Sequence, residues 1–184
     1  MTIRPSAFRP SRTLTAALML GITFVAALAL ASEPGADGFF QTGVTVKRGP
    51  RGPEYTVLHE MKSLPKTRSA LGIVSADVSK RFLITPAKDL SCDSFKTLLR
   101  VGLLRNGMSP TAATSLVSAC SGVTIRARSP IAIVYSPGSQ TTTLTIEKMG
   151  TTQVSGLPAM RSVWGIWFGN PESAKEKSAL SARL

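Results

Sequence analysis

The chain has 184 residues, with 22 Lys and Arg against 10 Asp and Glu and a formal net charge of +12. Two Cys and a single His rule out a scaffold of several disulfides and leave no ligand set for a metal. The cations are scattered from Lys47 to Arg183 with no dense run and no interleaved aromatics, which argues against nucleic acid. A solvated surface is the default for such a pattern, and peripheral contact with an anionic membrane surface is the partner it admits.

The first 31 residues have the parts of a secretory signal peptide in order. Arg4, Arg9 and Arg12 form a positive start with no acid, and residues 14–30 are an uncharged apolar run. Ala29-Leu30-Ala31 then puts small residues where a signal peptidase reads, before Ser32. An uncleaved anchor is the alternative, because the run is close to the minimum of about 17 residues for a membrane span. No Cys follows the run, against a lipid anchor, and no paired Arg precedes it, against a twin-arginine signal. The expectation is cleavage near Ala31-Ser32 and a periplasmic or secreted protein. Three of the 22 cations and none of the 10 acids fall in this segment, so the remainder carries +9. At about 150 residues that remainder suffices for one domain with its own core.

Residues 32–38 read as a flexible leader and 39–184 as a single domain. Residues 39–46 and 55–60 alternate loosely around Gly49-Pro50-Arg51-Gly52-Pro53, which predicts a hairpin with a Pro/Gly loop. Residues 67–75 read as a weak helix or an irregular crossing, and residues 81–85 as a short buried strand stopped by Pro86. Asp89 or Ser91 can cap a helix carrying Phe95, Leu98, Leu99 and Leu103 at helical spacing, which Asn106-Gly107 ends. Ser109-Pro110 opens a second helix running to Gly122. A link this short makes the two helices antiparallel, with Cys92 and Cys120 at one end of the pair. In an oxidising compartment they suggest one bridge, and two buried thiols are the alternative.

Residues 131–136, 142–148 and 151–155 form a meander, turning at Pro137-Gly138-Ser139 and at Met149-Gly150. Residues 157–168 form a helix apolar almost all round, with Val163, Trp164, Ile166 and Trp167, a pattern that demands burial against a sheet. Asn170-Pro171 precedes a last polar helix over residues 172–184. Strands and helices segregated in this way predict an α+β domain with one antiparallel sheet.

Little of this carries chemistry. His59 has no Ser or Cys partner nearby and reads as a satisfied structural residue. No nucleophile elbow, phosphate loop or metal motif is present in the sequence. Trp164 and Trp167 are core by default, although aromatic walls also suit an apolar ligand. Lys47, Arg48 and Arg51 cluster at the hairpin, a solvated turn in most proteins and otherwise a place to hold a carboxylate.

The C-terminal third carries a resemblance. Tyr135-Ser136-Pro137-Gly138, Thr143-Leu144-Thr145-Ile146, Gly156-Leu157-Pro158 and Trp164-Gly165-Ile166-Trp167-Phe168-Gly169 follow one another as in the chalcone-isomerase-like family, in particular its exported bacterial members. Lys88-Asp89-Leu90-Ser91, the helix end from Gly102 to Asn106, and Tyr55-Thr56-Val57-Leu58 fit the same pattern. The resemblance implies an open-faced β-sandwich, an antiparallel sheet with helices packed on one face and a pocket between the layers. It implies no cofactor, because the family's isomerases close a flavanone ring from a chalcone with an Arg, a Thr, a Tyr and an Asn.

Here Lys47 stands at the Arg position, Thr56 at the Thr position and Asn106 near the Asn, while the Tyr has no counterpart. Lys lacks the planar fork of Arg, and Asn106 is better read as a helix C-cap. These replacements favour a non-catalytic protein, and the resemblance, which extends to fatty-acid-binding relatives of the fold, implies a small apolar or fatty-acid-like ligand, with Lys47, Thr56 and Trp164 as binding residues. A cofactor-free isomerase of chalcone-like substrates is the alternative, and a structural or interaction protein of the envelope is a third. The oligomeric state is left open.

Overall fold

The computed structural model describes residues 33–184 except Arg51 and Glu172. The signal peptide expected over residues 1–31, Arg51 of the hairpin cluster and the start expected for the last helix at Glu172 lie outside the described residues. In chain order the elements are β1 (Phe40–Gly49), β2 (Gly52–Met61), α1 (Ala70–Ser75), β3 (Lys80–Pro86), β4 (Leu90–Ser91), α2 (Cys92–Arg105) and α3 (Pro110–Val117). They continue as β5 (Thr124–Ile125), β6 (Ile131–Ser136), β7 (Thr141–Ile146), β8 (Gly150–Ser155), α4 (Leu157–Phe168) and α5 (Ala174–Leu180).

Six strands make one sheet in the order β1-β2-β3-β6-β7-β8, each neighbour antiparallel. Two three-stranded runs meet at β3 and β6, and the α2–α3 segment is inserted between them in sequence. β4 and β5 pair separately, two residues each. One face of the sheet is covered. Val57, His59 and Met61 on β2, Phe82 and Ile84 on β3, Ile131 and Ile133 on β6, and Leu144 and Ile146 on β7 are buried, while the residues between them stay partly exposed. That period of two is what a sheet solvated on one side requires. The result is the open-faced α+β sandwich that the resemblance implied.

Local signals set the helix starts. The Ser91 hydroxyl accepts from the Ser94 N–H at the head of α2, and Ser109 accepts from Ala112 at the head of α3, with Pro110 in its first turn. α3 ends at Val117, short of the expected Gly122, and the chain then turns through Cys120. Cys92 and Cys120 are joined by a disulfide, their Cα atoms 5.8 Å apart and both residues fully buried. The last helix covers Ala174–Leu180, within the longer stretch expected from the sequence, and Ser173 caps it.

A hydrogen-bonded chain crosses the core. Trp164 on α4 donates from Nε1 to His59 Nε2 at 2.8 Å. An indole can only donate, so Nε2 is the bare nitrogen and Nδ1 carries the proton. Nδ1 then donates to the Thr42 hydroxyl at 2.6 Å, which donates to the Leu180 carbonyl at 2.9 Å. The register of β1 against β2 shifts between Gln41 and Gly43, leaving Thr42 as the extra residue of a bulge that turns it inward. Next to it, a Cβ on Gly43 would run into the backbone of Ala179 and Leu180. Glycine is what lets α5 settle directly on β1. Thus β1, β2, α4 and α5 are tied through one buried imidazole, held neutral because burial and then the charge of Lys80 push its pKa well below the ordinary 6.5.

Lys80 is fully buried at the opposite edge of this cluster, and its ammonium donates to the Ile73 and Ala76 carbonyls at 2.7 and 2.8 Å. These are carbonyls at the C-terminal end of α1, which have no partner within the helix. Burial pulls the Lys80 pKa from 10.5 to about 7, with Asp77 opposing the fall and Arg161 adding to it. Between those values the unfolded chain keeps a proton that the folded chain has released. The Lys80 contribution to stability therefore rises from pH 7 towards pH 10.5, by at most about 1.4 kcal/mol per pH unit. Urea midpoints should climb from pH 7 to 9, and the Lys80→Met variant should flatten that climb.

Candidate functional site

The inner face of the sheet is not completely covered. At the end where β1 meets β2, a cleft lies between the sheet and the helices. Lys47, Tyr55 and Ile84 form its sheet side, Phe95, Leu98, Leu99, Gly102 and Arg105 its α2 side, and Ile166 and Trp167 its α4 side. Leu90, Asn170 and Glu176 complete the lining. The cleft has a volume of about 70 Å³ and opens to solvent. The deep walls are aliphatic and aromatic, and the polar groups comprise Lys47, Tyr55, Arg105, Asn170 and Glu176.

Each wall has a local cause. Lys47 faces Tyr55 across the β1–β2 pair because the register shifts between Lys47 and Arg48. The hairpin closes with Gly49 opposite Gly52 and Arg48 opposite Pro53, and Glu54 is the extra residue before Tyr55. Without that extra residue Lys47 would pair with Glu54 and take the other face, since a slip of one residue inverts a strand. On the helix side, a Cβ on Gly102 would sit 3.1 Å from the Ile166 side chain, so glycine lets α2 close on α4.

Electrostatics is concentrated at the edge. Lys47 Nζ lies 3.3 Å from Glu176 Oε1, with their side chains 27% and 18% exposed, so the ion pair stands at the border of the cleft with solvent. Arg105, in the last turn of α2, adds a second cation to the lining. No grouping of three or more His, Cys, Asp or Glu able to hold a metal exists among the described residues.

The site residues expected from the sequence are not brought together. Lys47 lines the cleft. Thr56 does not, because it is one residue out of step with Tyr55, Val57 and His59 and lies on the open face of the sheet. Trp164 does not line it either, being wholly buried with its N–H on His59; Trp167, three residues along α4, lines the cleft instead. Asn106 is the C-cap of α2, its Nδ2 donating to the Gly102 carbonyl at 2.9 Å and its Oδ1 accepting from the Asn170 N–H at 3.3 Å. A Cβ on Gly165 would strike that amide, which fills the space glycine leaves.

The residues not foreseen as site residues include Tyr55, Arg105, Asn170 and Glu176, while Trp167 reads in the sequence as core able to wall an apolar ligand. A count back from the hairpin turn is the sequence signal for Tyr55, and the bulge at Glu54 defeats it. A basic residue in the last turn of α2 is the signal for Arg105, though it equally suits the helix dipole.

One antiparallel sheet, bare on one face and covered by helices on the other, defines the chalcone isomerase fold. The crystal structure of a fatty-acid binding protein from Arabidopsis thaliana matches this chain with a TM-score of 0.62 and 16% identity, covering 82% of this chain and 91% of that one. No family model matches the sequence, and no curated protein does.

Proposed function

We propose that the protein binds, without transforming it, a small amphiphile with an apolar tail and an anionic head, a fatty acid or a close analogue. The observation that carries this reading is the composition of the cleft: Phe95, Leu98, Leu99, Ile166 and Trp167 form the walls, with Lys47 and Arg105 among the lining cations. Apolar walls with a few placed polar groups are how small-molecule sites combine affinity with orientation. The ion pair of Lys47 with Glu176 supports it, because the Lys47 ammonium at the cleft edge already holds one carboxylate, that of the chain itself. The matching plant protein, described as a fatty-acid binding protein, supports the same reading.

A charge-assisted hydrogen bond contributes about 1.5–3 kcal/mol. Lys47→Ala is therefore expected to weaken binding of a long-chain carboxylate by roughly tenfold to a hundredfold, and to leave binding of its methyl ester unchanged. Calorimetric titration of both ligands checks this, and equal losses for acid and ester would remove Lys47 as the carboxylate partner. Mass spectrometry of the purified protein is expected to find co-purified lipid acid.

One observation favours a second reading. Tyr55 brings a phenol into the cleft beside Lys47, where the sequence comparison had no counterpart for the isomerase Tyr. Chalcone ring closure faster than in buffer, and lost in Tyr55→Phe, would replace the binding role with a cofactor-free isomerase. The site of action proposed is outside the cytoplasm, supported by the signal-like residues 1–31 and by the Cys92–Cys120 bridge. An intact mass beginning at Ser32 tests it.

A further inference from the structure

α2 buries Phe95, Leu99 and Leu103 towards the core, yet its outer side, which carries Asp93, Ser94, Thr97, Arg100 and Arg105, is not wholly polar. Leu98, Val101 and Leu104 recur three residues apart there and are 46%, 44% and 37% exposed. Single exposed apolar residues are ordinary, but three along one helix make an unpartnered ridge. Lys96, Arg100 and Arg105 accompany it, and Asp93 is the one acid of the helix. Among the described residues, none of these three cations takes part in an ion pair. Val101 shares a shallow groove with Lys96 and Arg100, while Leu98 and Arg105 also line the cleft. The ridge and the cleft are thus one continuous surface.

We infer that this face of α2 docks on an anionic lipid bilayer, with Leu98, Val101 and Leu104 entering the interface and Lys96, Arg100 and Arg105 meeting the phosphates. A helix with an apolar strip and basic flanks lies in the plane of such an interface. The long basic side chains lay their stems along the strip and keep their charges in the headgroup layer. A second copy of the chain is disfavoured as the occupant, because it would set three unpaired cations against three others. The inference does not rest on what the cleft holds: Val101 and Leu104 are outside it. If the cleft does take an amphiphile, docking brings its lining residues Leu98 and Arg105 to the membrane, where such a molecule is exchanged.

The test is vesicle co-sedimentation of the purified full chain. Three cations near an anionic surface predict affinity about a hundredfold higher for vesicles containing 30% phosphatidylglycerol than for pure phosphatidylcholine, falling steeply with salt. Replacing Val101 and Leu104 together by Asp should weaken anionic binding by roughly tenfold or more. Leu71→Ser, at a still more exposed apolar site on α1, should leave it unchanged, and neither variant should alter carboxylate binding in the cleft. Hydroxyl-radical footprinting reads the ridge directly, whatever residues 1–31 contribute: Leu98, Val101 and Leu104 should be protected on anionic vesicles. Equal affinity for both vesicle types, an unprotected ridge, or a dimer dissolved by the double substitution would each overturn the inference. Carboxylate binding absent while vesicle binding persists would instead remove the proposed ligand role and leave this one standing.

Discussion

His59→Leu is expected to destabilise the protein by about 3 kcal/mol, although His59 does not line the cleft and is wholly inside. Leucine fills much of the imidazole volume, so the cost comes from the partners. The Trp164 N–H, fully buried, would lose its acceptor, and an orphaned buried donor costs about 1–3 kcal/mol. Thr42 would lose the Nδ1–H donor while its hydroxyl still reaches the Leu180 carbonyl and, more distantly, the backbone carbonyl of residue 59, a further loss of about 1 kcal/mol. In a domain of about 150 residues the sum corresponds to a fall in Tm of roughly 6–12 °C. His59→Gln retains an acceptor near the Nε2 position and should recover about half of the loss; equal destabilisation by Leu and Gln would show that shape, not hydrogen bonding, sets the cost. The pH dependence separates the two further. An unfolded His59 takes a proton near pH 6.5 and the folded one resists it, so wild-type stability should fall as pH drops below about 6.5. Both variants should lack that limb.

Breaking the Cys92–Cys120 bridge is the other large effect. The bridge spans 28 residues, and constraint of the unfolded chain by a loop of that length is worth about 3–4 kcal/mol. It holds the head of α2 to the segment after α3, where the Cys92 N–H also donates to the Val123 carbonyl at 2.9 Å and Cys120 Sγ lies 3.8 Å from Met149 Sδ. Substituting both cysteines by Ser, or unfolding in the presence of a reductant, should lower the urea midpoint and raise the m-value, because the freed chain exposes more surface. Coincident unfolding curves with and without reductant would show that the bridge contributes nothing. A loss of this size is a large fraction of the 5–15 kcal/mol typical of a domain. It would make folding in an oxidising compartment a condition of working stability.

The parts of the structure legible in the sequence are those decided within a few residues. α4 begins and ends where expected, at Leu157 and Phe168, because its apolar face, the flanking Gly156 and Gly169 and the early Pro158 are all local. Ser91 and Ser109 were readable as caps for the same reason, and the meander β6–β8 from its alternation and short turns. The β4–β5 pair was not, since two-residue strands have no period to detect. Length and end positions placed Cys92 and Cys120 at one end of a helix pair, but the packed backbone is what brings their Cα atoms to 5.8 Å.

The candidate site was legible only at Lys47. Which face Lys47 takes depends on one extra residue, Glu54, and no propensity distinguishes a bulged hairpin from a plain one. Trp164 and Trp167 are equally apolar positions of one helix; three residues is 300° of rotation, and only the packing partners decide that one indole meets His59 while the other walls the cleft. Sequence by itself determined the α+β class, the sheet's inner and outer periodicity, the starts of α3 and α4 and the basic balance, because these follow from residue type and spacing. Tertiary structure alone decided the register, the bulges at Thr42 and Glu54, the buried Trp164–His59–Thr42 chain and the lining of the cleft. Those depend on contacts between residues far apart in the chain, such as Thr42 with Leu180 and Lys47 with Glu176, which no local pattern encodes.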